Sequence, residues 1–182
     1  MLFSDIKINE NIKKSLDELG FLKTTEVQTK SIPFILENNT DLIALAQTGT
    51  GKTAAFLVTI IEHCLKKRLK KHSKASPRAL IIAPTRELAI QIGKDSKKLN
   101  EYSKLRTVVL YGGIDFNKQL KLLEENKVDI LVATPGRLID LLNRDAVHLS
   151  DTKFLVLDEA DQMLDLGFIH SLRKIADLLP EK

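Results

Sequence analysis

Two stretches of the sequence carry residue types suited to phosphate chemistry. The first is Ala46-Gln47-Thr48-Gly49-Thr50-Gly51-Lys52-Thr53, which follows a short apolar run and leads into a segment with helical spacing. Gly49 and Gly51 let the backbone curl so that successive amide N–H groups, from Gln47, Thr48 and Thr50 onward, converge on an anion at a helix N-terminus, where the dipole also favours negative charge. Lys52 is then placed to reach the β- and γ-phosphates of a nucleotide, and the Thr53 hydroxyl to ligate Mg²⁺. The usual first glycine of such a loop is Ala46 here. The second stretch is Phe154-Leu155-Val156-Leu157-Asp158-Glu159, an apolar strand delivering two carboxylates at its C-terminal end, the edge where open α/β sheets bind ligands. Asp158 can hold Mg²⁺ directly or through water, and Glu159 can orient and polarise a water for in-line attack on a phosphoryl group. Alone, each stretch also reads as a structural turn or helix cap; together they point to nucleotide chemistry.

The elements that must position these residues follow from the hydrophobic pattern. Five short apolar runs, Leu42–Ala46, Ala79–Ala83, Thr107–Tyr111, Ile130–Ala133 and Phe154–Leu157, are too short for helices and too continuous for half-exposed strands, so they read as buried parallel strands. Between them lie segments with helical spacing, such as Leu57, Ile60, Ile61 and Leu65. Strand followed by helix, repeated five times, predicts an open, doubly wound α/β sheet. Two further helices are expected before the first strand, over Asn9–Leu19 and Gln28–Glu37, the second with a cap at Thr24–Thr25.

Composition narrows the class. At 182 residues the chain is most simply one domain, with two small ones possible. With 43% hydrophobic and 29% charged residues, collagen-like, mucin-like and wholly disordered chains are excluded. No run approaches the roughly 18 apolar residues of a membrane span, and residues 1–11 carry no signal-peptide pattern, so a cytoplasmic protein is expected. The single Cys64 excludes an internal disulfide and reads as a small buried hydrophobe. His63, His72, His148 and His170 have no metal-ligand spacing. The net charge of +4 hints at an anionic partner, but Lys66, Lys67, Arg68, Lys70, Lys71 and Lys74 crowd one run. Taking these six from the 28 basic residues leaves 22 against 24 acidic ones. The run reads as a solvated helix end or as a phosphate-backbone contact.

With Asp158-Glu159-Ala160-Asp161 beside the glycine loop, the chain resembles a DEAD-box RNA helicase. Pro84-Thr85-Arg86-Glu87-Leu88 resembles that family's motif Ia, Gly112-Gly113 its paired-glycine motif, and Thr134-Pro135-Gly136-Arg137 its motif Ib. Gly20 to Gln28 resembles the Q motif, with Phe3 as the isolated upstream aromatic. Six motifs in the family's order span nearly the whole chain. One departure is Thr24, where the family usually has proline; a looser turn is expected there.

The resemblance implies a RecA-like open parallel sheet with helices on both faces, the P-loop NTPase fold. Residues 1–182 would form the N-terminal RecA-like domain, with the Q motif in 1–28, the phosphate loop (Walker A) in 46–53 and the DEAD box in 158–161. It implies ATP and Mg²⁺ as cofactors, catalytic roles for Lys52, Asp158 and Glu159, and metal ligation by Thr53 and Asp158. The Gln28 amide, donor and acceptor at once, suits the N6/N7 edge of adenine. Thr25 would add a polar contact, and Phe21 would stack on the base or act as a hydrophobic staple for the following helix. Pro84, Thr85, Arg86, Gly112, Gly113, Thr134, Pro135, Gly136 and Arg137 lie just beyond predicted strand ends. Glycines, hydroxyls, amides and arginines there suit phosphate contacts that read no bases; Pro135 and the glycine pair also have plain readings as a first helical residue and a turn. The family's partner is single-stranded RNA, bent so that a duplex opens locally.

Asp161 would link the ATP site to the RNA motifs through a Ser-Ala-Thr motif that the sequence does not contain. In the family, the strand carrying that motif sits between the phosphate-loop strand and the Asp158 strand, so the expectation is a fragment of a longer helicase, its sheet left open at that place. A second RecA-like domain with arginine fingers is also absent; fingers of this kind contribute on the order of 10³–10⁵ in rate. The chain alone is expected to be a monomeric domain that hydrolyses ATP poorly. A catalytically silent RNA- or protein-binding module is the alternative, and a DNA-translocating relative is disfavoured by the Q motif and the Asp158–Asp161 tetrapeptide.

Overall fold

Four of the five apolar runs form strands in the computed structural model, which describes residues 1–38, 40–67, 75–125 and 127–181. The strands are β1 (Ala79–Ile82), β2 (Thr107–Leu110), β3 (Ile130–Ala133) and β4 (Phe154–Leu157), joined in one parallel sheet of order β2-β3-β1-β4. Every residue of β1 and β3 is buried, which is why these runs are continuously apolar rather than alternating. On one face, Leu80, Ile82, Val108, Leu110, Leu131 and Ala133 form a core with Leu123, Leu138, Leu141, Met163 and Ile175. Those partners come from α5 (Phe116–Glu124), α6 (Pro135–Asn143), α7 (Ala160–Asp165) and α8 (Ile169–Asp177). On the other face lies α4 (Arg86–Leu99), so close at Gly93 that a Cβ there would come 2.2 Å from Val109 Cγ2.

Register is the property that matters for function. Ile82 is level with Ala133 and with Leu157, and Leu110 is level with Ala133. All four strands therefore end at one height, and the residues that follow them, Ala83, Tyr111, Thr134 and Asp158, leave from the same sheet edge. The ladder reaches these residues too, since Ala83 N–H donates to Ala133 O at 3.0 Å, Thr134 N–H to Leu110 O at 3.1 Å and Asp158 N–H to Ile82 O at 3.0 Å.

The fifth strand, expected over Leu42–Ala46, does not form. A strand is held by ladder hydrogen bonds and by burial of its faces. Residues 42–46 enter no ladder, and Leu42, Ile43 and Leu45 are 42%, 88% and 94% exposed. Among the described residues no strand pairs with this run, so its apolar residues gain neither ladder bonds nor burial. The strand–helix alternation accordingly holds four times, not five. β4 pairs with β1 on one edge only among the described residues, and its Leu155 and Leu157 are exposed. A chain extended through a further strand is expected to bury these leucines and to melt about 5–10 °C higher, at roughly 2–4 °C per kcal/mol for a domain of this size. Thermal unfolding of the two chains side by side checks this; equal melting temperatures would overturn it.

The chain divides into two compact units, Leu69–Lys94 with Leu105–Lys182, which holds the sheet, and Met1–Arg68 with Asp95–Lys104. The second of these is helical, with a 3-10 turn at Phe3–Asp5, α1 (Glu10–Glu18), α2 (Glu26–Glu37) and α3 (Lys52–Lys66). Asn9 caps α1, its side chain accepting from Asn11 N–H. Ile12, Leu16, Ile32, Leu57, Val58, Ile60 and Ile61 are fully buried, and Cys64 is buried with them. The buried Glu62 accepts from Asn9 N–H at 2.6 Å and pairs with Lys66 at 3.1 Å. Tyr102 donates to Glu18 at 2.5 Å and lies under the Lys14 ammonium; the hydrogen bond to Glu18 raises the Tyr102 pKa above its ordinary value. Of the lysine run, Lys66 and Lys67 close α3, whereas Arg68, Lys70, Lys71 and Lys74, like His72, lie outside the described residues. No helix among the described residues is long and apolar enough to cross a membrane.

Candidate functional site

The glycine-rich loop turns through two left-handed residues, Gly49 at φ +83° and Gly51 at φ +89°. Gly51 stands at the N-cap of α3, and no side chain caps that helix. The N–H groups of its first turn are thereby offered to an anion rather than to a serine or aspartate. Thr50 Oγ1 donates to Gln47 O at 2.7 Å, and Lys52 Nζ donates to Ala46 O at 2.5 Å. Gln47, Thr48 and Gly49 are exposed, and Lys52 and Thr53 are half-buried. Only glycine fits position 51, because a Cβ would be strained at that φ and would also lie 2.3 Å from Gln28 Nε2.

Gln28 reaches the loop from the start of α2. Thr25 is the N-cap, its hydroxyl accepting from Gln28 N–H at 3.4 Å, while Gln28 Oε1 accepts from Thr25 N–H at 2.9 Å. This reciprocal box starts the helix two residues earlier than the hydrophobic spacing suggests. Gln28 Nε2 donates to Gly51 O at 3.0 Å, so the amide is buried with both ends engaged. Thr24 does not loosen its turn: its N–H and its hydroxyl both donate to Met1 O, at 3.1 and 3.0 Å. Proline could offer neither bond. The neighbouring Lys30 hydrogen-bonds Glu26 at 2.7 Å and holds its carboxyl below the ordinary value. Phe21 is 45% exposed, whereas Phe3 is 3% exposed and belongs to the core.

In the sheet unit, β4 delivers Asp158, buried at the strand end, and Glu159 follows in the left-handed region at φ 52°, ψ 50°. A non-glycine residue held there costs on the order of 1–2 kcal/mol, and such positions concentrate at functional sites. Asp161 is exposed in the first turn of α7, where a carboxylate complements the helix dipole.

The other three strand ends meet in one cluster. After β1, Pro84 is buried, Thr85 Oγ1 accepts from Leu88 N–H at 3.2 Å as the cap of α4, and Arg86 is exposed. After β2, Gly112 and Gly113 are exposed, and a Cβ on Gly113, itself at φ +83°, would lie 3.1 Å from Arg86 Nη1. After β3, Thr134 precedes Pro135 at the first turn of α6 and makes no capping bond; Gly136 is exposed. Arg137 is drawn back into the cluster, Nη1 donating to Gln119 Oε1 at 2.9 Å and Nη2 to Ile114 O at 3.0 Å. The hub is Gln119 of α5, whose Nε2 donates to Tyr111 O at 3.1 Å. The sequence reading missed it, although a glutamine on the same stripe as Phe116, Leu120 and Leu123 is the signal that marks it.

The sheet unit is a parallel sheet whose turns leave one edge, and the helical unit holds a glycine loop at an uncapped helix start; both are features that α/β domains use to bind ligands and anions. The DEAD/DEAH box helicase family model matches residues 25–182, and the chain belongs to that family. It is 48% identical over 181 residues to the ATP-dependent RNA helicase RhlB of Pseudomonas aeruginosa, covering 99% of this chain and 45% of that protein. It is 42% identical to the DEAD-box ATP-dependent RNA helicase RhpA of Helicobacter pylori, covering 99% of this chain and 35% of the relative. The structure of a hypothetical ATP-dependent RNA helicase from Sulfolobus tokodaii superposes with a TM-score of 0.83 at 34% identity, over 94% of this chain and 47% of that one. The chain thus spans less than half the length of these relatives and corresponds to their N-terminal helicase domain.

Proposed function

We propose that the chain is the ATP- and RNA-binding N-terminal half of an RNA helicase, one that couples ATP hydrolysis to local duplex opening once a second RecA-like domain completes it. The observation that carries this reading is the common height of the four strand ends, from which Asp158, Arg86, the Gly112–Gly113 turn and Thr134 all leave. The uncapped start of α3 and the left-handed glycines suit a polyphosphate, and a hydroxyl at Thr53 with a carboxylate at Asp158 is the oxygen donor set that Mg²⁺ prefers. ATP supplies the transferable phosphoryl group and Mg²⁺ neutralises its charge. In this chain, Lys52 would give up Ala46 O to meet phosphate, Thr53 and Asp158 would hold the metal, and Glu159 would orient the attacking water. Phe21, Thr25 and Gln28 receive adenine, Gln28 exchanging its bond to Gly51 O for the base. Arg86, Gly112, Gly113, Thr134 and Gly136 face the RNA backbone, Pro84, Thr85 and Pro135 shape those turns, and Asp161 relays between the sites.

A catalytically silent binding module is the second reading, favoured by one observation: residues 42–45, leading into the loop, lie outside the sheet and are exposed. Calorimetric titration with ATP, ADP and GTP in the presence of Mg²⁺ decides between them. Saturable binding of ATP and ADP, with GTP at least about tenfold weaker, equivalent to about 1.4 kcal/mol, is the expected result. A folded chain that binds no nucleotide would support the silent module.

A further inference from the structure

We propose that Gln119 is a positioning residue for RNA binding: its amide, through Arg137, clamps the Gly112–Gly113 turn to the start of α6 so that the two turns act as one surface. This rests on the reading above, in which those turns meet the RNA backbone. The carbonyls on either side of the glycine pair are both held, Tyr111 O by Gln119 Nε2 at 3.1 Å and Ile114 O by Arg137 Nη2 at 3.0 Å. The two holding groups are joined to each other at 2.9 Å. Chemistry allows only one orientation of the amide, because a carbonyl only accepts and a guanidinium only donates. A carboxylate could not donate to Tyr111 O, and an apolar side chain could do neither.

The clamp is built into the interior. Gln119 is 3% exposed, and the Asp115 side chain caps α5 by accepting from Lys118 N–H at 3.1 Å, which fixes the helix that carries Gln119. The Phe116 ring is in cation–π contact with two guanidinium groups, Arg144 at 4.4 Å and Arg137 at 5.6 Å from the ring centre. Arg137 is aimed by its two Nη bonds even though its Nε is buried with no partner among the described residues. The sequence pattern assigns Arg137 to the RNA directly; in the structure its guanidinium is committed to the turn, so its effect on RNA passes through the glycine pair.

Two adjacent glycines lose more conformational freedom on ordering than any other pair, and a turn already held at both flanks brings less of that loss to the binding step. Gln119→Met preserves length and apolar packing while removing both hydrogen bonds, and Gln119→Glu keeps only the acceptor. Binding of a single-stranded RNA oligonucleotide to the 182-residue chain, followed by fluorescence anisotropy at several salt concentrations well below the melting temperature, reads the effect. Both variants are expected to bind about tenfold more weakly with an unchanged salt slope, because no phosphate contact is lost; a contact residue would lower the slope by about one. Hydrogen exchange of the amides at 112–115 is expected to rise in both. Wild-type binding with unchanged affinity in both variants, or a fall in affinity accompanied by a fall in slope, overturns the positioning role alone. A wild-type chain that binds no RNA overturns the underlying reading and the inference with it.

Discussion

Lys52→Ala is expected to weaken ATP binding about a hundredfold while leaving the chain folded. Hydrogen bonds to a charged partner contribute about 1.5–3 kcal/mol each, and a lysine that meets two phosphate groups makes two. Part of that gain is offset, since Lys52 must first leave Ala46 O, to which it donates at 2.5 Å. The net of about 2.7 kcal/mol corresponds to the hundredfold loss. The same half-buried side chain contributes little to the core, so the melting temperature of Lys52→Ala is expected to stay within about 3 °C of the parent. Calorimetric titration alongside a melting curve separates the two effects. Equal affinity in variant and parent would take the loop out of nucleotide binding, and a collapse in melting temperature would show instead that the bond to Ala46 O holds the loop together. Lys52→Arg is a useful companion, since it keeps the charge but replaces a compact ammonium by a planar fork, and is expected to recover only part of the affinity.

The sheet was legible where burial decides the pattern and illegible where pairing does. β1 and β3 announce themselves because both their faces are covered, which demands continuous apolar residues. Leu42–Ala46 has the same appearance, yet hydrophobicity states only that a segment would gain from burial, not that a neighbour is present to bury it. The cap was legible at Thr24–Thr25, but that Gln28 closes a reciprocal box with Thr25 and also reaches Gly51 O, 23 residues away, came only from the structure. Arg137 is the converse case: an arginine beyond a strand end looks like a phosphate ligand, and only the placement of α5 reveals that Gln119 and Ile114 O have already claimed its guanidinium. Residue types thus marked one edge of the sheet, while long-range hydrogen bonds decided which of its side chains are tied down.

The second large effect concerns Glu159. In an enzyme completed by its second domain, Glu159→Gln is expected to slow ATP hydrolysis about 10²–10⁴-fold, the usual contribution of a group that accepts or directs a proton in the rate-limiting step. The amide retains the length and shape of the carboxylate but cannot take a proton from the attacking water. Because glutamine meets the same left-handed backbone cost at φ 52°, the fold and the ATP affinity are expected to change little, so the loss should fall on the chemical step. Asp158→Asn makes the contrast: a metal ligand weakened at the end of β4 should lower the apparent affinity for Mg²⁺ and leave part of the rate recoverable at high Mg²⁺, whereas no concentration of Mg²⁺ should restore Glu159→Gln. Single-turnover phosphate release, measured with saturating RNA across a Mg²⁺ series, distinguishes the two. Hydrolysis by Glu159→Gln at the parental rate would remove Glu159 from the water-orienting role and leave positioning and charge neutralisation, through Lys52, Thr53 and Asp158, as the whole of this half's contribution to catalysis.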